Sequence, residues 1–293
     1  MFQGITVVAP AKINVGLHVF PKRSDGYHDI ESIFTTVNLC DTIEVELIAE
    51  KNTCSVACEG MKLPDENTFT AAYKAFCVLT GCDYGCSVKV TKRIPTGGGL
   101  GGGSSDASSF IQSIDSLMST KLNTADLVSI ADKVGSDVFF FTHALFADGG
   151  KRFRSFCPYA AIVGGRGEDV VQIREREDFS VLLVFPGVGV STKEAYGLVD
   201  AEIEANGFTA QEYSLEEMFA RPVREWRFAN HFTAPICAHY PQVKAALDMV
   251  RDCGADFCDM SGSGSTVFGV FEDRKKALDA RDRIGGFFEA VLA

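Results

Sequence analysis

Polar and apolar residues alternate over 42–48 (Thr-Ile-Glu-Val-Glu-Leu-Ile), the pattern of a strand with one buried and one wet face. Residues 87–94 alternate in the same way. The segment 5–20 places Ile5, Val7, Val15, Leu17 and Val19 at even spacing and reads as strand broken near Pro10. The period changes over 67–79, where Phe69, Ala72, Tyr73 and Phe76 share one face of a helix. Phe110, Ile111, Ile114, Leu117 and Met118 predict a second helix by the same spacing. Further on, 179–185 and 266–270 read as strands, and 192–199 and 243–250 as helices. Antiparallel-looking strands followed by helices predict an α+β chain rather than regular βαβ winding. The polar stretch 174–178 reads as a linker, giving expected domains at 1–178 and 179–293.

Between the strand at 87–94 and the second helix, the chain runs Pro95-Thr96-Gly97-Gly98-Gly99-Leu100-Gly101-Gly102-Gly103-Ser104-Ser105-Asp106. Glycine reaches backbone conformations closed to other residues and lets a ligand approach the main chain. Ser104 or Ser105 is expected to cap the helix, with Asp106 in its first turn. A glycine loop feeding a helix N-terminus offers unpaired N–H groups and the positive end of the helix dipole, so the expected ligand is a polyphosphate. No Lys-Ser/Thr pair closes the run, so it is not a P-loop. No ribose-binding acid follows at about 20 residues, which argues against a dinucleotide fingerprint. A second small-residue loop, 261–265 (Ser-Gly-Ser-Gly-Ser), is equally a ligand-approach loop or a tight hairpin when read alone.

Composition narrows the partners. An apolar fraction of 46% supports a real core, and a net charge of −11 speaks against nucleic acid or an anionic membrane surface. No apolar run approaches a membrane span, and no signal-peptide pattern opens the chain, so a cytoplasmic protein is expected. Of the ten cysteines, Cys54/Cys58 and Cys82/Cys86 have three residues between them and Cys253/Cys258 four. Without a Cys-x-x-Cys pair, reduced structural thiols are expected and no metal ligand is assigned.

Ala11-Lys12-Ile13-Asn14, the glycine run and 261–265 stand in the order of the three motifs of the GHMP kinase superfamily, and the resemblance covers nearly the whole chain. Asp25-Gly26-Tyr27-His28 and Gly135-Ser136-Asp137-Val138 resemble one branch of it. That branch phosphorylates the 2-hydroxyl of a cytidine-diphosphate-linked sugar alcohol in the methylerythritol phosphate route to isoprenoids. The resemblance implies a two-domain α+β fold, with a ribosomal protein S5 domain 2-like N-terminal domain and a ferredoxin-like C-terminal domain. It implies ATP as donor with Mg²⁺, a small-molecule acceptor, and a monomer or weak homodimer. Asp137 takes the position of the catalytic carboxylate and Lys12 that of its partner cation. Nucleotide contacts are implied for Asn67, Lys92, Pro95, Gly97, Gly98, Gly99, Leu100, Gly101, Gly102, Gly103, Ser104 and Ser105. Acceptor contacts are implied for Asn14, Tyr27, His28, Phe34, Thr192, Tyr196, Ser263 and Gly264. The rival readings are a mevalonate- or homoserine-type kinase of the same superfamily and a catalytically silent nucleotide-binding homologue.

The chain departs from the family pattern in three places. Phe139 stands where proline usually follows Asp-Val, and Asn230-His231-Phe232-Thr233 replaces Asn-Asp-Phe-Glu, a change expected to affect packing. The stretch 143–158 is longer than usual and carries Lys151, Arg152 and Arg154, which reads as a solvated insertion in preference to a basic lid.

Overall fold

The computed structural model describes residues 4–150 and 154–293, so Lys151 and Arg152 lie outside the described residues. In chain order the first elements are β1 (Gly4–Val19), β2 (Ile30–Ile48), β3 (Cys54–Cys58), α1 (Thr68–Thr80), β4 (Gly85–Thr91) and α2 (Gly102–Met118). Next come α3 (Thr124–Ala131), α4 (Ser136–Gly150), β5 (Ala160–Gly164), β6 (Asp169–Ile173), β7 (Ser180–Phe185) and α5 (Thr192–Asn206). The chain ends with α6 (Leu215–Phe219), α7 (Thr233–His239), α8 (Pro241–Asp252), β8 (Phe257–Met260), β9 (Val267–Phe271), α9 (Arg274–Ile284) and β10 (Glu289–Leu292).

Contacts divide these elements into two compact units that are discontinuous in sequence. One comprises Met1–Ala11, Asn38–Thr96 and Gly101–Cys157; the other comprises Lys12–Val37, Gly97–Leu100 and Pro158–Ala293. In the first unit the latter half of β2 pairs antiparallel with β4, from Thr42 opposite Thr91 to Ile48 opposite Gly85. Strand β3 runs parallel to β4. Helix α2 packs against α1 and α4. Its residues Phe110, Ile111 and Ile114 are buried, and Phe110 meets Phe69 of α1 edge-on at 5.6 Å. Leu117 and Met118, expected on the same face, are only half-buried near the helix end.

In the second unit the early part of β2 pairs with β5, and β5 with β6. A separate antiparallel sheet has the order β10-β7-β9-β8. Its core joins Leu182 and Val184 of β7 and Val267 and Phe271 of β9 to Val243, Leu247 and Val250 of α8. The i, i+4, i+7 spacing of those three α8 residues is what turns one helix face onto the sheet.

Two local expectations are corrected. The expected break near Pro10 is absent: Gly4–Val19 is one unbroken strand, β1, paired with β2. Its residues from Ala9 to Val19 are all buried, so the alternation there has no wet face to report. Helix α2 is capped by Gly101 in the left-handed region at φ 69°, with no side-chain cap. Ser104 and Ser105 therefore lie inside its first turn, and Asp106 follows that turn. Among the described residues, no helix is long and apolar enough to cross a membrane. All ten cysteines are free thiols.

Candidate active site

In the first unit the start of α2 brings together Gly101, Gly102, Gly103, Ser104 and Ser105, five of the residues expected to contact the nucleotide. The amides of Ser104 and Ser105 both bond the Gly101 carbonyl, at 3.1 and 2.9 Å. The N–H groups of Gly102 and Gly103 precede them at the open end of the helix, where no side chain caps them. A Cβ on Gly101 would stand 2.8 Å from the Phe141 ring and 3.2 Å from Asp137 Oδ2. The missing side chain thus lets the first turn of α4, which carries Asp137, close on the first turn of α2. Gly102 is excluded from having a side chain by Ile94, 2.9 Å away, and Gly103 lies 3.9 Å from Thr68 at the start of α1. Ser104 is half-buried, whereas Ser105 is fully buried with a hydroxyl that has no hydrogen-bond partner among the described residues. Gly97 has φ +71° with open space around it, and Pro95 is half-buried ahead of it.

Asn67 is the N-cap of α1. Its Oδ1 accepts from the amides of Phe69 (3.0 Å) and Thr70 (3.2 Å), while Nδ2 donates to the Pro64 carbonyl at 2.9 Å. Lys92 is committed as well: its ammonium donates to Asp41 at 2.5 Å and to Asp106 at 2.8 Å. Burial and the neighbouring Asp41 push the Asp106 carboxyl up to about 7 against the opposing pull of Lys92. Burial draws the Lys92 ammonium down, but the two carboxylates outweigh it and its titration moves upward.

The second unit holds the residues expected on the acceptor side and the first part of the glycine run. Lys12, 3% exposed, donates to Asn14 Oδ1 at 2.6 Å and stands 4.7 Å over the Phe34 ring. Asn14 donates onward to Ser32 at 3.2 Å, and Ser32 to the Gly16 carbonyl at 2.5 Å. The Lys12 amide bonds the Leu100 carbonyl at 3.0 Å, which fixes the strand to the glycine run. That run and the 261–266 loop are tied together through the main chain: Ser261 Oγ donates to the Gly99 carbonyl at 2.9 Å and the Thr266 amide to the Gly98 carbonyl at 3.2 Å. Gly99 has φ +76°, and any side chain there would collide with the Ser261 carbonyl. Across the same loop Gly262 comes within 3.4 Å of Asn14 Oδ1, measured from where its Cβ would be. Gly264, at φ +89°, has no room beside Met260, and Ser263 shares a 3.3 Å contact with Thr192 at the start of α5.

His28 is nearly buried, with Nδ1 2.8 Å from the Phe20 carbonyl and Nε2 3.4 Å from Asp200 Oδ1. Its ring stacks on Tyr196 at 5.0 Å. Tyr27 is instead 58% exposed, with the Arg166 guanidinium 5.5 Å over its ring. The two members of the Tyr-His pair therefore face different surroundings. The altered 230–233 segment is a packing device. Asn230 Nδ2 donates to the carbonyls of Met260 (2.7 Å) and Gly262 (2.8 Å), pinning the last loop from behind. His231 packs on His18 at 4.5 Å, and burial, with His231 beside it, draws His18 down to about 4.

Sequence reasoning missed Asp41, Ser32, Asp200 and Arg166. Asp41 sits at the edge of the alternating stretch 42–48 and is fully buried, a polar residue just where the pattern asks for an inward one. That was the available signal. Ser32, Asp200 and Arg166 come from distant segments with no spacing to announce them.

The first unit sets Asp137 beside the open N-terminus of α2, and the second bonds the strand of Lys12 and Asn14 to the first glycine segment. The family model for the GHMP kinases N terminal domain matches residues 67–144, and that for GHMP kinases C terminal matches 214–290. The chain belongs to the GHMP kinases. Its relatives include the 4-diphosphocytidyl-2-C-methyl-D-erythritol kinase of Treponema pallidum (strain Nichols), 37% identical over 283 residues, spanning 94% of this chain and 92% of the relative. The protein of the same name from Bacillus pumilus (strain SAFR-032) is 33% identical, spanning 97% of this chain and 94% of the relative. A crystal structure of a 4-(cytidine 5'-diphospho)-2C-methyl-D-erythritol kinase superposes with a TM-score of 0.80 at 27% identity over 98% of each chain. The Methanococcus jannaschii mevalonate kinase, at TM-score 0.62 and 13% identity over 99% of this chain and 98% of that one, shares the fold. The expected two-domain GHMP kinase fold is thereby borne out.

Proposed function

We propose that the chain transfers the γ-phosphate of ATP to the 2-hydroxyl of 4-diphosphocytidyl-2-C-methyl-D-erythritol. The observation that carries this reading is near-full-length similarity to kinases of that name, in a chain that retains Lys12, Asp137 and the glycine run. The N–H groups of Gly102 and Gly103 and the Ser104 hydroxyl hold the phosphates, since phosphoryl transfer is mainly positioning and charge stabilisation. Asp137 accepts the hydroxyl proton as the acceptor oxygen commits to phosphorus. Lys12, oriented by Asn14, neutralises charge on the transferring group. Asn67 and Lys92 shape the nucleotide side through their neighbours, and Pro95, Gly97, Gly98, Gly99 and Leu100 carry the loop. The unpartnered Ser105 hydroxyl fits a phosphate oxygen, and Mg²⁺ would supply charge neutralisation on the phosphates.

On the acceptor side, Tyr27, His28, Phe34 and Tyr196 recognise the cytidylyl group, with Thr192, Ser263 and Gly264 near its diphosphate. We further propose family domains at 1–178 and 179–293, a monomer or weak homodimer, and a cytoplasmic setting. The test is ADP release from ATP and Mg²⁺ with the cytidylyl acceptor beside mevalonate, homoserine and galactose. Turnover confined to the first is expected. Turnover on another alcohol discards the acceptor assignment, and ATP binding with no turnover moves the reading to a silent homologue.

A further inference from the structure

Beneath the first turn of α2 lies a cluster of three charged groups, Asp41, Lys92 and Asp106, whose two carboxylates have no role in the reaction as described. Asp41 is fully buried. One of its oxygens accepts the Lys92 ammonium, and the other accepts the amides of Arg93 at 2.5 Å and Ile94 at 2.9 Å. Lys92 continues to Asp106, and its Nζ lies 3.4 Å from where a Cβ on Gly102 would be. Ile94 packs against that same position. Asp41 therefore holds the residues that lead into the glycine run, and through Lys92 it holds the helix that leads out. Asp106 is 3% exposed, and its second oxygen has no partner among the described residues.

We propose that Asp41 and Asp106 are positioning residues for the phosphate-binding turn, acting through Lys92, and that a proton gained or lost by this cluster tunes how tightly ATP is held there. The inference rests on the kinase reading above and deepens its nucleotide side. With both carboxylates ionised the cluster carries one net negative charge; with Asp106 protonated it carries none. A net negative charge under the first turn competes with a polyphosphate for the positive end of α2. Cys40 of β2 and Cys58 of β3 face the cluster; Arg93 follows Lys92 in the chain, and Asp137 of α4 lies beside Gly101. Burial pushes the Asp106 carboxyl up to about 7.

Polyphosphate binding favours the protonated cluster, so by linkage ATP affinity falls as pH rises through neutrality. The experiment is a calorimetric titration of ATP with Mg²⁺ into the full chain from pH 6 to 8.5, for wild type, Asp106→Asn and Asp41→Asn. A one-unit difference in the Asp106 pKa between free and bound protein corresponds to about tenfold in Kd. Wild type is expected to weaken by about that factor relative to Asp106→Asn, whose ratio cancels the ionisation of ATP itself. Asp41→Asn is expected to weaken ATP about tenfold at every pH, and in turnover to raise KM for ATP while leaving KM for the acceptor in place. Superimposable pH profiles for wild type and Asp106→Asn would overturn the proposal, as would wild-type ATP affinity in a folded Asp41→Asn. If Asp41→Asn does not fold, the Asp106→Asn profile decides alone. ATP binding needs no acceptor, so a wild type that binds ATP yet phosphorylates nothing removes the kinase reading and leaves this test intact.

Discussion

Replacing Gly101 by alanine perturbs one backbone position on which both the helix cap and Asp137, the proposed proton acceptor, depend. At φ 69° an alanine meets the left-handed penalty, about 1–2 kcal/mol. Its methyl group would also stand 2.8 Å from the Phe141 ring and 3.2 Å from Asp137 Oδ2, an overpacking that costs about 1–3 kcal/mol. The sum is about 2–5 kcal/mol, which corresponds to a fall in Tm on the order of 5–10 °C for a chain of this size. Gly97→Ala is the control. It shares the positive φ (+71°) but has open space around it, so it should show the backbone penalty alone. Thermal unfolding of both variants, with kcat measured at 25 °C, separates strain from collision. The expected result is a larger Tm loss in Gly101→Ala together with a fall in kcat, because relief of the clash moves Asp137. Equal Tm losses in the two variants, or an unchanged kcat in Gly101→Ala, would refute the reasoning.

Asp137→Asn should abolish turnover and leave ATP affinity within about threefold, as read by calorimetry beside a coupled ADP assay; wild-type-like turnover removes the proton-acceptor role. Tyr27→Ala should raise KM for the cytidylyl acceptor at least about tenfold more than KM for ATP in steady-state kinetics, and equal effects would take Tyr27 out of the acceptor site. Asp259 is buried, and burial, against bonds from Thr233 and the Met260 amide, pushes its carboxyl up to about 6. Its folded pKa lies above its unfolded one, so its contribution to stability falls as pH rises from about 4 to about 6. Urea unfolding of Asp259→Asn over that window should lose this slope, and an unaltered slope would rule the residue out as its source.

The elements with one wet face were the legible ones. Residues 42–48 and 67–79 announce a strand and a helix because each alternates between water and core. β1 did not, since burial on both faces erases the alternation and Pro10 then looks like an interruption. The cap of α2 was misplaced because a serine is the usual solution, whereas here a left-handed glycine replaces it to admit Phe141 and Asp137. Motif order brought Lys12, Asn14, the glycine run and Ser263 into view. Asp41 stayed hidden because its partners, Lys92 and the Arg93 and Ile94 amides, lie some fifty residues away along the chain, and only pairing of β2 with β4 brings them close.

In the proposed acceptor site His28 is already stacked on Tyr196, so the surface that would receive a flat ring is not bare. An incoming pyrimidine exchanges one stack for another, and the net gain is the difference between two contacts of about 0.5–1.5 kcal/mol each. Ring stacking then supplies little affinity. Discrimination among bases passes to the hydrogen-bonding edge, where a wrong donor or acceptor strands a buried polar group. A site built this way tolerates weak binding of many aromatic compounds while remaining strict about which nucleobase it retains. For inhibitor design, a larger aromatic surface would add less than a correctly placed donor-acceptor edge.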